Sequence, residues 1–412
     1  MNKFNAVDKE ALALHQENHG KLEVASKVDL ASNKDLTLAY TPGVAAPCLE
    51  IKDDYNKIYD YTSKSNMVAV VTNGSAVLGL GNIGAGAGLP VMEGKAILFK
   101  GFAGVDAVPI CLNSQNVDEI VRTVEMLEPS FGGINLEDIK APECFDIENR
   151  LREKMNIPVF HDDQHGTAIA CLSAVLGALR FVKKDIATAK FVVNGCGAAG
   201  SAIGRLLVNM GAQHVIMVDR FGALYEGIDA KLDRIQSYLA TVTNKEHKQG
   251  TLADVAKGAD VMIGASAPNV FTKEIMQSMA DKAIVFALAN PVPETSYDAA
   301  KEAGVAVAGT GRSDRPNQVN NVTVFPGVFR GAIDVRARAI TEEMKVAAVY
   351  AIADLIDEKD LREDYVVPDA FDPRVAPAVA AAVAKVAIEK GLARKIVDPE
   401  VVRANTAKRI GR

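Results

Sequence analysis

The sequence predicts an α/β protein that combines a doubly wound parallel sheet with a second, N-terminal α/β domain and a helical C-terminal segment. Between residues 191 and 311, short β-branched apolar runs alternate with helical stretches, which is typical of a parallel sheet covered by helices. Earlier apolar runs of strand length lie between residues 66 and 163, and an alanine-rich helical pattern without strands follows residue 330.

The N-terminal part is predicted to alternate helices and strands. Apolar residues among charges favour a helix over the first 25 residues, and Thr41-Pro42-Gly43 predicts a turn before a second helix. The segment 117–127 has helical spacing and stops before Pro129. Four apolar segments are interpreted as buried strands or strand-and-turn segments: 66–74, 95–104, 131–139 and 156–163.

The following part has the rhythm of successive βαβ units. A long apolar helix from about residue 165 is expected to connect it to the N-terminal part. The predicted order is then strand 191–195, helix 198–211, and strands 214–219, 259–266, 283–290 and 305–311. With 412 residues the chain has room for two or three domains, which we expect at 1–165, 166–335 and 336–412.

Composition excludes several classes of protein. The chain carries 46 Lys and Arg against 52 Asp and Glu, without a basic block, so nucleic acid is not expected as a partner. Residues 65–92 are uncharged, but their glycines disfavour the continuous helix that a bilayer requires, so we expect no membrane span. The polar N-terminus and five widely spaced cysteines, expected to stay reduced, predict a cytoplasmic protein.

Gly195, Gly197 and Gly200 form the pattern G-x-G-x-x-G between a predicted strand and a predicted helix. The next strand ends in Asp219, 19 residues beyond Gly200, close to the spacing of the acid that binds the adenosine ribose of a dinucleotide. The motif therefore predicts a Rossmann-type domain that binds a nicotinamide dinucleotide. The alternative is a βαβ turn that binds nothing.

Within this loop, Ala198 and Ala199 open the helix whose backbone N–H groups would contact the pyrophosphate. Asp219 favours NAD, because a carboxylate repels the 2′-phosphate of NADP. Arg220 follows directly and would instead accept that phosphate, so NADP stays open.

A second match to the same pattern, Gly79, Gly81 and Gly84, lacks this context. We expect no helix-then-strand pair ending in an acid after it. It is interpreted as a flexible loop that leads to Met92-Glu93-Gly94-Lys95 near a substrate, or as a loop without a ligand.

Two acidic pairs follow predicted strands: Glu137-Asp138 and Asp162-Asp163. If both strands end at one sheet edge the carboxylates converge, and such ligands suit Mg²⁺ or Mn²⁺. Solvated turns or helix caps are the alternative. His161 and His165 have the i, i+4 spacing of a zinc pair on a helix, but the strand before them favours packing or hydrogen bonding.

Five longer segments carry a resemblance to a known family: AYTPGVA at 39–45, and the segments 92–110, 132–148, 158–170 and 311–332. Together they resemble malic enzymes of the short bacterial type over about residues 20–390. The resemblance implies NAD(P)-dependent oxidative decarboxylation of (S)-malate to pyruvate and CO₂, with oxaloacetate and enolpyruvate as intermediates. It also implies a substrate- and metal-binding domain at 1–165 and a homodimer or higher homo-oligomer.

The resemblance further implies Lys95 as the general base and Tyr40 as the general acid, with Glu137, Asp138 and Asp163 as ligands of Mg²⁺ or Mn²⁺. Malate oxidation requires a base for the C2 hydroxyl proton. A lysine can serve when burial or a nearby cation lowers its pKa. An acid must then protonate C3 after CO₂ has left.

For the substrate, the resemblance implies that Asn290 and Asn320 bind the malate carboxylate, with Asn321 as the alternative to Asn320. Asn290 follows an apolar strand, at the edge where ligands and cofactors bind in open α/β sheets. Larger malic enzymes place an arginine against the substrate in the glycine-rich segment. This chain has none there, so the group for the second carboxylate is not assigned.

Three other functions are alternatives. A dehydrogenase without decarboxylation does not need three metal carboxylates. A second alternative converts malate to lactate with the cofactor kept bound, as in longer relatives of malic enzyme. An NAD(H) sensor without catalysis predicts loss of at least one of the implied catalytic or metal-binding residues, and all are present.

Overall fold

The computed structural model describes residues 5–77 and 79–410, which form two predominantly parallel sheets and their covering helices. The strands are β1 (Met67–Thr72), β2 (Asp106–Cys111), β3 (Gly133–Leu136), β4 (Val159–His161), β5 (Lys190–Asn194), β6 (His214–Asp219), β7 (Gly222–Ala223), β8 (Val261–Gly264), β9 (Ile284–Ala287) and β10 (Val307–Thr310). Short 3₁₀ helices lie at Tyr55–Lys57, Ser63–Asn66, Glu128–Ser130, Asn321–Thr323 and Glu358–Asp360.

The first nine α-helices belong to the N-terminal part and the first βαβ unit of the second sheet. They are α1 (Ala6–Glu17), α2 (Asn33–Ala39), α3 (Ala45–Asp53), α4 (Ile58–Tyr61), α5 (Ala85–Ala103), α6 (Val117–Met126), α7 (Glu143–Lys154), α8 (Asp162–Val182) and α9 (Ala198–Asn209). The remaining helices are α10 (Arg234–Val242), α11 (Leu252–Val255), α12 (Lys273–Gln277), α13 (Tyr297–Glu302), α14 (Phe325–Asp334), α15 (Glu342–Ala353), α16 (Val375–Glu389) and α17 (Pro399–Arg409).

The first sheet has the strand order β2-β1-β3-β4, with every pair parallel. Leu136 of β3 pairs with His161 of β4, so the residues that follow these strands lie side by side at the carboxyl edge. This register brings both acidic pairs to one place, which is the arrangement that the sequence left open beside solvated turns or helix caps.

The prediction of a strand at 95–104 was wrong, because these residues form the second half of α5. Met92, Ala96, Phe99 and Ala103 recur at helical spacing and are buried against the main core, which outweighs the glycines of the helix. Consequently the second glycine pattern is followed by a helix and a strand, but no acid ends that strand, as expected. The strand ends in Cys111.

The second sheet has the order β10-β9-β8-β5-β6-β7 and is parallel except for the short edge strand β7. Each strand that the sequence predicted here is present, within a few residues of its expected bounds. The result is the doubly wound, Rossmann-like arrangement expected from the alternating pattern.

Helix α8 runs through the core between the sheets. It is long and apolar enough to span a bilayer by length and composition, but 83% of its most apolar stretch is buried inside the fold. The C-terminal helices α14, α15 and α16 complete the same core. The domain boundary at 165/166 falls in the first turn of α8, and it stays a prediction, as does the boundary at 335/336.

Residues 5–58, called the N-terminal arm, contain no buried residue. The arm contacts the body at Lys21, whose backbone N–H donates to Glu93 of α5 over 3.0 Å and whose ammonium group donates to the carbonyl of Pro90. Many large apolar side chains of the arm are exposed: Val7, Leu12, Leu14, Leu22, Val24, Val28, Leu30, Leu36, Leu38, Tyr40, Val44, Leu49 and Tyr55. Helix α1 ends at Glu17 and is therefore shorter than predicted.

Candidate active site

The three predicted metal ligands converge at the carboxyl edge of the first sheet. Glu137 and Asp138 follow β3, and Asp163 lies in the first turn of α8 directly after β4. One carboxylate oxygen from each residue lies within 4.8 Å of the other two. The backbone N–H of Asp138 donates to Oδ2 of Asp163 over 2.8 Å, which fixes the two loops against each other.

The electrostatics of this cluster suit a divalent cation. Burial and the neighbouring Asp162 raise the pKa of Asp163 to about 6. Burial also raises the pKa of Glu137, although Lys95 partly opposes the shift. Carboxylates that repel one another in a dry site are stabilised by a bound cation, and three hard oxygen donors match the preference of Mg²⁺ and Mn²⁺. The residues present therefore fit the implied metal ion.

Lys95 lies beside this cluster on α5. Its Nζ is 2.7 Å from Oδ2 of Asp162, 3.0 Å from Oε1 of Glu137 and 4.2 Å from the centre of the Phe325 ring. Burial lowers the pKa of Lys95, but the carboxylates of Asp162 and Glu137 outweigh it, so the net shift is upward. A general base at neutral pH requires instead a lowered pKa. A cation held by Glu137 would offset the carboxylate charge and shift the pKa in that direction.

Asp162 and Asn321 belong to the same cluster, and the sequence assigned a main role to neither. Asp162 is fully buried, and burial raises its pKa to about 7 against the opposing effect of Lys95. The side-chain amide of Asn321 donates to Asp162 Oδ2, the oxygen that also binds Lys95. In the sequence these residues belong to the doublets Asp162-Asp163 and Asn320-Asn321. Nothing in the sequence shows which residue of each doublet contacts Lys95 or its partners.

A buried polar network supports the turn that carries Asp162 and Asp163. Nε2 of His165 lies 2.8 Å from Oε1 of Glu148, and Nζ of Lys345 lies 3.1 Å from Nδ1 of His165. Glu148 also accepts hydrogen bonds from the backbone of His161 and the side chain of Gln164.

His161 and His165 thus serve packing and hydrogen bonding, as expected. The partners on α7 and α15 carry no local sequence pattern that would have identified them.

The glycines of the dinucleotide loop have distinct structural roles. A Cβ on Gly195, whose φ is +113°, would lie 2.3 Å from the carbonyl oxygen of Ala265. A Cβ on Gly200 would lie 1.9 Å from the carbonyl oxygen of Gly195, so both positions exclude side chains. Gly197 is exposed and faces open space, where a pyrophosphate can approach its backbone. Ala198 and Ala199 are the first two residues of α9.

Asp219 ends β6 at the same sheet edge. Its carboxylate accepts a hydrogen bond from the backbone N–H of Arg220 over 2.7 Å and another from the side-chain amide of Gln236. The guanidinium of Arg220 lies over the Phe221 ring, 4.8 Å from its centre. The carboxylate is therefore held in place by Gln236, a partner that the sequence did not reveal.

Asn290 follows β9 and lies where the two sheets face each other. The glycine loop of the first sheet approaches it so closely that a Cβ on Gly79 would lie 2.5 Å from the Asn290 carbonyl oxygen. Glu294, fully buried, accepts hydrogen bonds from the backbone of Ser266 over 2.7 Å and of Ala289 over 3.0 Å. Glu294 thus fixes the loops after β8 and β9, and no motif predicted it.

Two residues predicted for the site, Asn320 and Tyr40, have other surroundings. Oδ1 of Asn320 accepts the backbone N–H of Val322 over 3.0 Å and caps a 3₁₀ helix, whereas its neighbour Asn321 contacts Asp162. Tyr40 lies on the N-terminal arm and is 66% exposed. Within one chain, the structure joins Lys95 to the predicted metal ligands and leaves Tyr40 open to solvent.

Comparison with known proteins places this geometry in a family. A family model described as "Malic enzyme, N-terminal domain" matches residues 19–152, and one described as "Malic enzyme, NAD binding domain" matches residues 164–388. A "Bifunctional malic/malolactic enzyme" from Bacillus subtilis is 59% identical over 97% of both chains. An "NAD-dependent malic enzyme" from Geobacillus stearothermophilus is 51% identical over 91% of this chain and 78% of its own.

Solved structures agree with the sequence comparisons. The crystal structure of malic enzyme from Pyrococcus horikoshii superposes with a TM-score of 0.95 and 47% identity, and the match covers 98% of this chain and 96% of that one. The dinucleotide loop, Glu137, Asp138 and every strand except β4 lie within the residues that the two family models match. The chain belongs to the malic enzyme family.

Proposed function

We propose that this protein catalyses the NAD(P)-dependent oxidative decarboxylation of (S)-malate to pyruvate and CO₂. The observation that carries the proposal is Lys95 in direct contact with Asp162 and Glu137, beside a three-carboxylate cluster. A plain dehydrogenase has no use for that cluster. The close approach of Gly79 to Asn290 joins this site to the sheet that carries the dinucleotide loop.

In the proposed mechanism, Lys95 Nζ takes the proton of the C2 hydroxyl, and Asp162 keeps the ammonium group in position. Asn290 binds a carboxylate of malate, and Asn320 or Asn321 supplies a second amide. Glu137, Asp138 and Asp163 would hold Mg²⁺ or Mn²⁺, which when bound polarises the C2 oxygen and favours loss of CO₂. NAD would take up the hydride. Tyr40 gives a proton to C3, and Lys95 returns its own to Tyr40.

The same site geometry leads us to propose a homodimer in which Tyr40 completes the site of the partner. The N-terminal arm has no buried residue of its own and exposes a series of large apolar side chains, which is typical of an interaction surface. A second copy that covers the arm would bury these side chains and, by two-fold symmetry, bring Tyr40 of each chain to the other body. Each site would then be built from two chains.

Complementation between two inactive variants tests this assembly. Lys95→Ala and Tyr40→Phe are each expected to be inactive alone, since each lacks one proton donor or acceptor. If the pair is shared between chains, a heterodimer contains one intact site, and an equimolar exchanged mixture recovers about a quarter of the wild-type activity. If each chain uses its own Tyr40, the mixture stays inactive. Sedimentation of each variant gives the oligomeric state independently.

For the cofactor we propose NAD. Asp219 stands at the end of β6 with its carboxylate fixed by Gln236, where it suits the ribose hydroxyls and repels a 2′-phosphate. The relative from Geobacillus stearothermophilus carries the name of an NAD-dependent enzyme.

The first experiment incubates the protein with (S)-malate and Mn²⁺, with NAD⁺ or NADP⁺ in parallel, and measures reduced cofactor and pyruvate together. Equal amounts of both products are expected, with a faster reaction on NAD⁺. Reduced cofactor without pyruvate would contradict decarboxylation. A faster reaction on NADP⁺ would instead show that Arg220 dominates the choice of cofactor.

A second function, conversion of malate to lactate, is favoured by the name of the Bacillus subtilis relative, which matches over 97% of both chains. That relative has nearly the length of this chain, so the reaction is not confined to longer relatives. This reaction would require that the dinucleotide loop at Gly195 retain the reduced cofactor, which would supply the hydride that turns pyruvate into lactate. The test measures lactate with NAD⁺ far below the malate concentration. Lactate in excess of NAD⁺ supports the function, and pyruvate limited by NAD⁺ contradicts it.

A further inference from the structure

A cavity of about 650 Å³ lies between α5, α14, the C-terminal helix α17 and the N-terminal arm. Six cationic side chains line it: Lys27, Lys100, Arg330, Arg336, Lys395 and Arg409. Only two acidic residues share the lining, Asp60 and Asp334. The lining thus carries more positive than negative charge, in a chain whose net charge is −6.

Arg330 extends the positive charge of the cavity into the interior of the protein. The residue is 2% exposed, and its Nη atoms donate to Asn66 and Asp334. Its buried Nε has no hydrogen-bond partner among the described residues. A buried guanidinium donor without an acceptor is costly, so Asn66 and Asp334 satisfy the Arg330 side chain only in part.

The remaining cations share few acidic partners: Lys27 and Lys100 both pair with Asp106, which is not part of the lining, over 3.6 and 2.7 Å. Asp334 is shared, since Nη1 of Arg409 lies 3.1 Å from the same carboxylate that binds Arg330. Lys395 is exposed at the rim, and no carboxylate in the described part of the chain lies within 4.0 Å of its Nζ. Arg336 pairs with Asp60 and lies over the ring of Tyr59, 4.9 Å from its centre. Several guanidinium and ammonium groups can thus face one ligand.

We infer that this cavity binds a small polyanion, either a multiply charged carboxylate or a phosphate. Arginine side chains bind both groups through paired hydrogen bonds. A ligand with two or more negative charges could contact several of the cationic side chains at once. The cavity is separate from the carboxylate cluster, whose charge has the opposite sign.

Two helices connect the cavity to the active site. Lys100 and Lys95 lie on α5, and Arg330 lies on α14 with Phe325, the ring under the Lys95 ammonium group. Phe99 joins the helices, with its ring centre 4.7 Å from that of Phe325. An anion that draws Arg330 and Lys100 together would therefore act on the packing beneath Lys95. We expect occupancy to change the KM for malate.

Calorimetric titration of the full chain at low ionic strength tests the site, with citrate and inorganic phosphate as separate probes. Saturating malate is present to compete at the active site, and metal ions and dinucleotide are left out, because citrate chelates Mn²⁺ and phosphate precipitates it. Binding of citrate alone would identify a carboxylate ligand, and binding of phosphate would identify a phosphate ligand. Absence of binding by both probes would overturn the inference.

Exposed residues supply variants that are expected to fold. Lys395→Gln and Lys100→Gln each remove one charge from the cavity, and we expect about fivefold weaker binding in each. The matched control is Lys385→Gln, which removes an exposed charge from α16 outside the cavity and should leave binding unchanged. Equal binding by the cavity variants and this control would overturn the inference, since the heat would then come from another site.

Discussion

The Nζ atom of Lys95 lies 2.7 Å from Oδ2 of Asp162, and both side chains are buried. The contact joins α5 to the first turn of α8, so it links the residue proposed as the base to the turn that also carries a metal ligand. Because Asp162 and Glu137 both attract Lys95, the base and the metal cluster form one electrostatic unit. Substitutions in either part are expected to lower the rate of the chemical step much more than the affinity for the dinucleotide.

Lys95→Ala should reduce kcat by about a thousandfold, because the proton acceptor for the C2 hydroxyl is lost. The affinity for NADH should remain within a few-fold of wild type, since the dinucleotide loop belongs to the other sheet. Steady-state rates and NADH fluorescence titration measure the two quantities. Unchanged turnover would remove Lys95 from the mechanism.

Asp163→Ala should weaken Mn²⁺ binding by about tenfold or more, because one of three converging carboxylates is lost. Titration of free Mn²⁺ by electron paramagnetic resonance measures the affinity without any turnover. Asp219→Ala is the control, since that carboxylate lies at the edge of the second sheet and should leave Mn²⁺ binding unaltered. Equal affinity in Asp163→Ala and wild type would exclude Asp163 as a ligand.

Gly79→Ala should raise the KM for malate and lower the melting temperature by about 3 °C. The residue has φ +75°, and a Cβ would lie 2.5 Å from the Asn290 carbonyl oxygen, so the glycine loop must move away from Asn290. The matched control is Gly86→Ala, which meets open space in α5 and should be neutral or slightly stabilising. If both variants behave alike, the approach of the loop to Asn290 has no role in substrate binding.

Lys64 gives the protein a defined pH dependence of stability. Burial lowers the pKa of Lys64 to about 8, whereas the unfolded chain holds this proton up to about 10.4. The unfolded state therefore binds more protons between these values, and stability rises with pH in that window. From pH 7.5 to 9.5, wild type should gain about 2 kcal/mol relative to Lys64→Gln.

Urea unfolding of both proteins at the two pH values measures this difference. The glutamine amide can still donate to the carbonyl of Phe131, which Lys64 contacts over 2.6 Å, so the variant retains part of the local hydrogen bonding. A difference between the proteins that does not change with pH would contradict the assignment.

The sequence predicted the second sheet well because its signals are local. Each strand there is a short β-branched run, and the loop at Gly195 is constrained by its own glycines and by the spacing to Asp219. The prediction of a strand at 95–104 was wrong because the apolar pattern of these residues fits a strand as well as a buried helix. Only its packing against the core selects α5.

The candidate site was predictable only where strand ends brought residues together. Glu137, Asp138 and Asp163 converge because β3 and β4 are neighbours, a relationship that the order of the strands suggests. Asp162 and Asn321 are 159 residues apart and depend on the packing of α8 against the segment after β10. No local pattern encodes such a contact, and the resemblance to a family supplied roles but not these partners.

The uncovered N-terminal arm has a consequence for how the enzyme responds to dilution. Under the proposed assembly, a solitary chain would hold Lys95 and the metal ligands but no proton donor for C3. Specific activity would therefore fall as the protein is diluted below its dimer dissociation constant, and each newly made chain would remain inactive until it met a second copy.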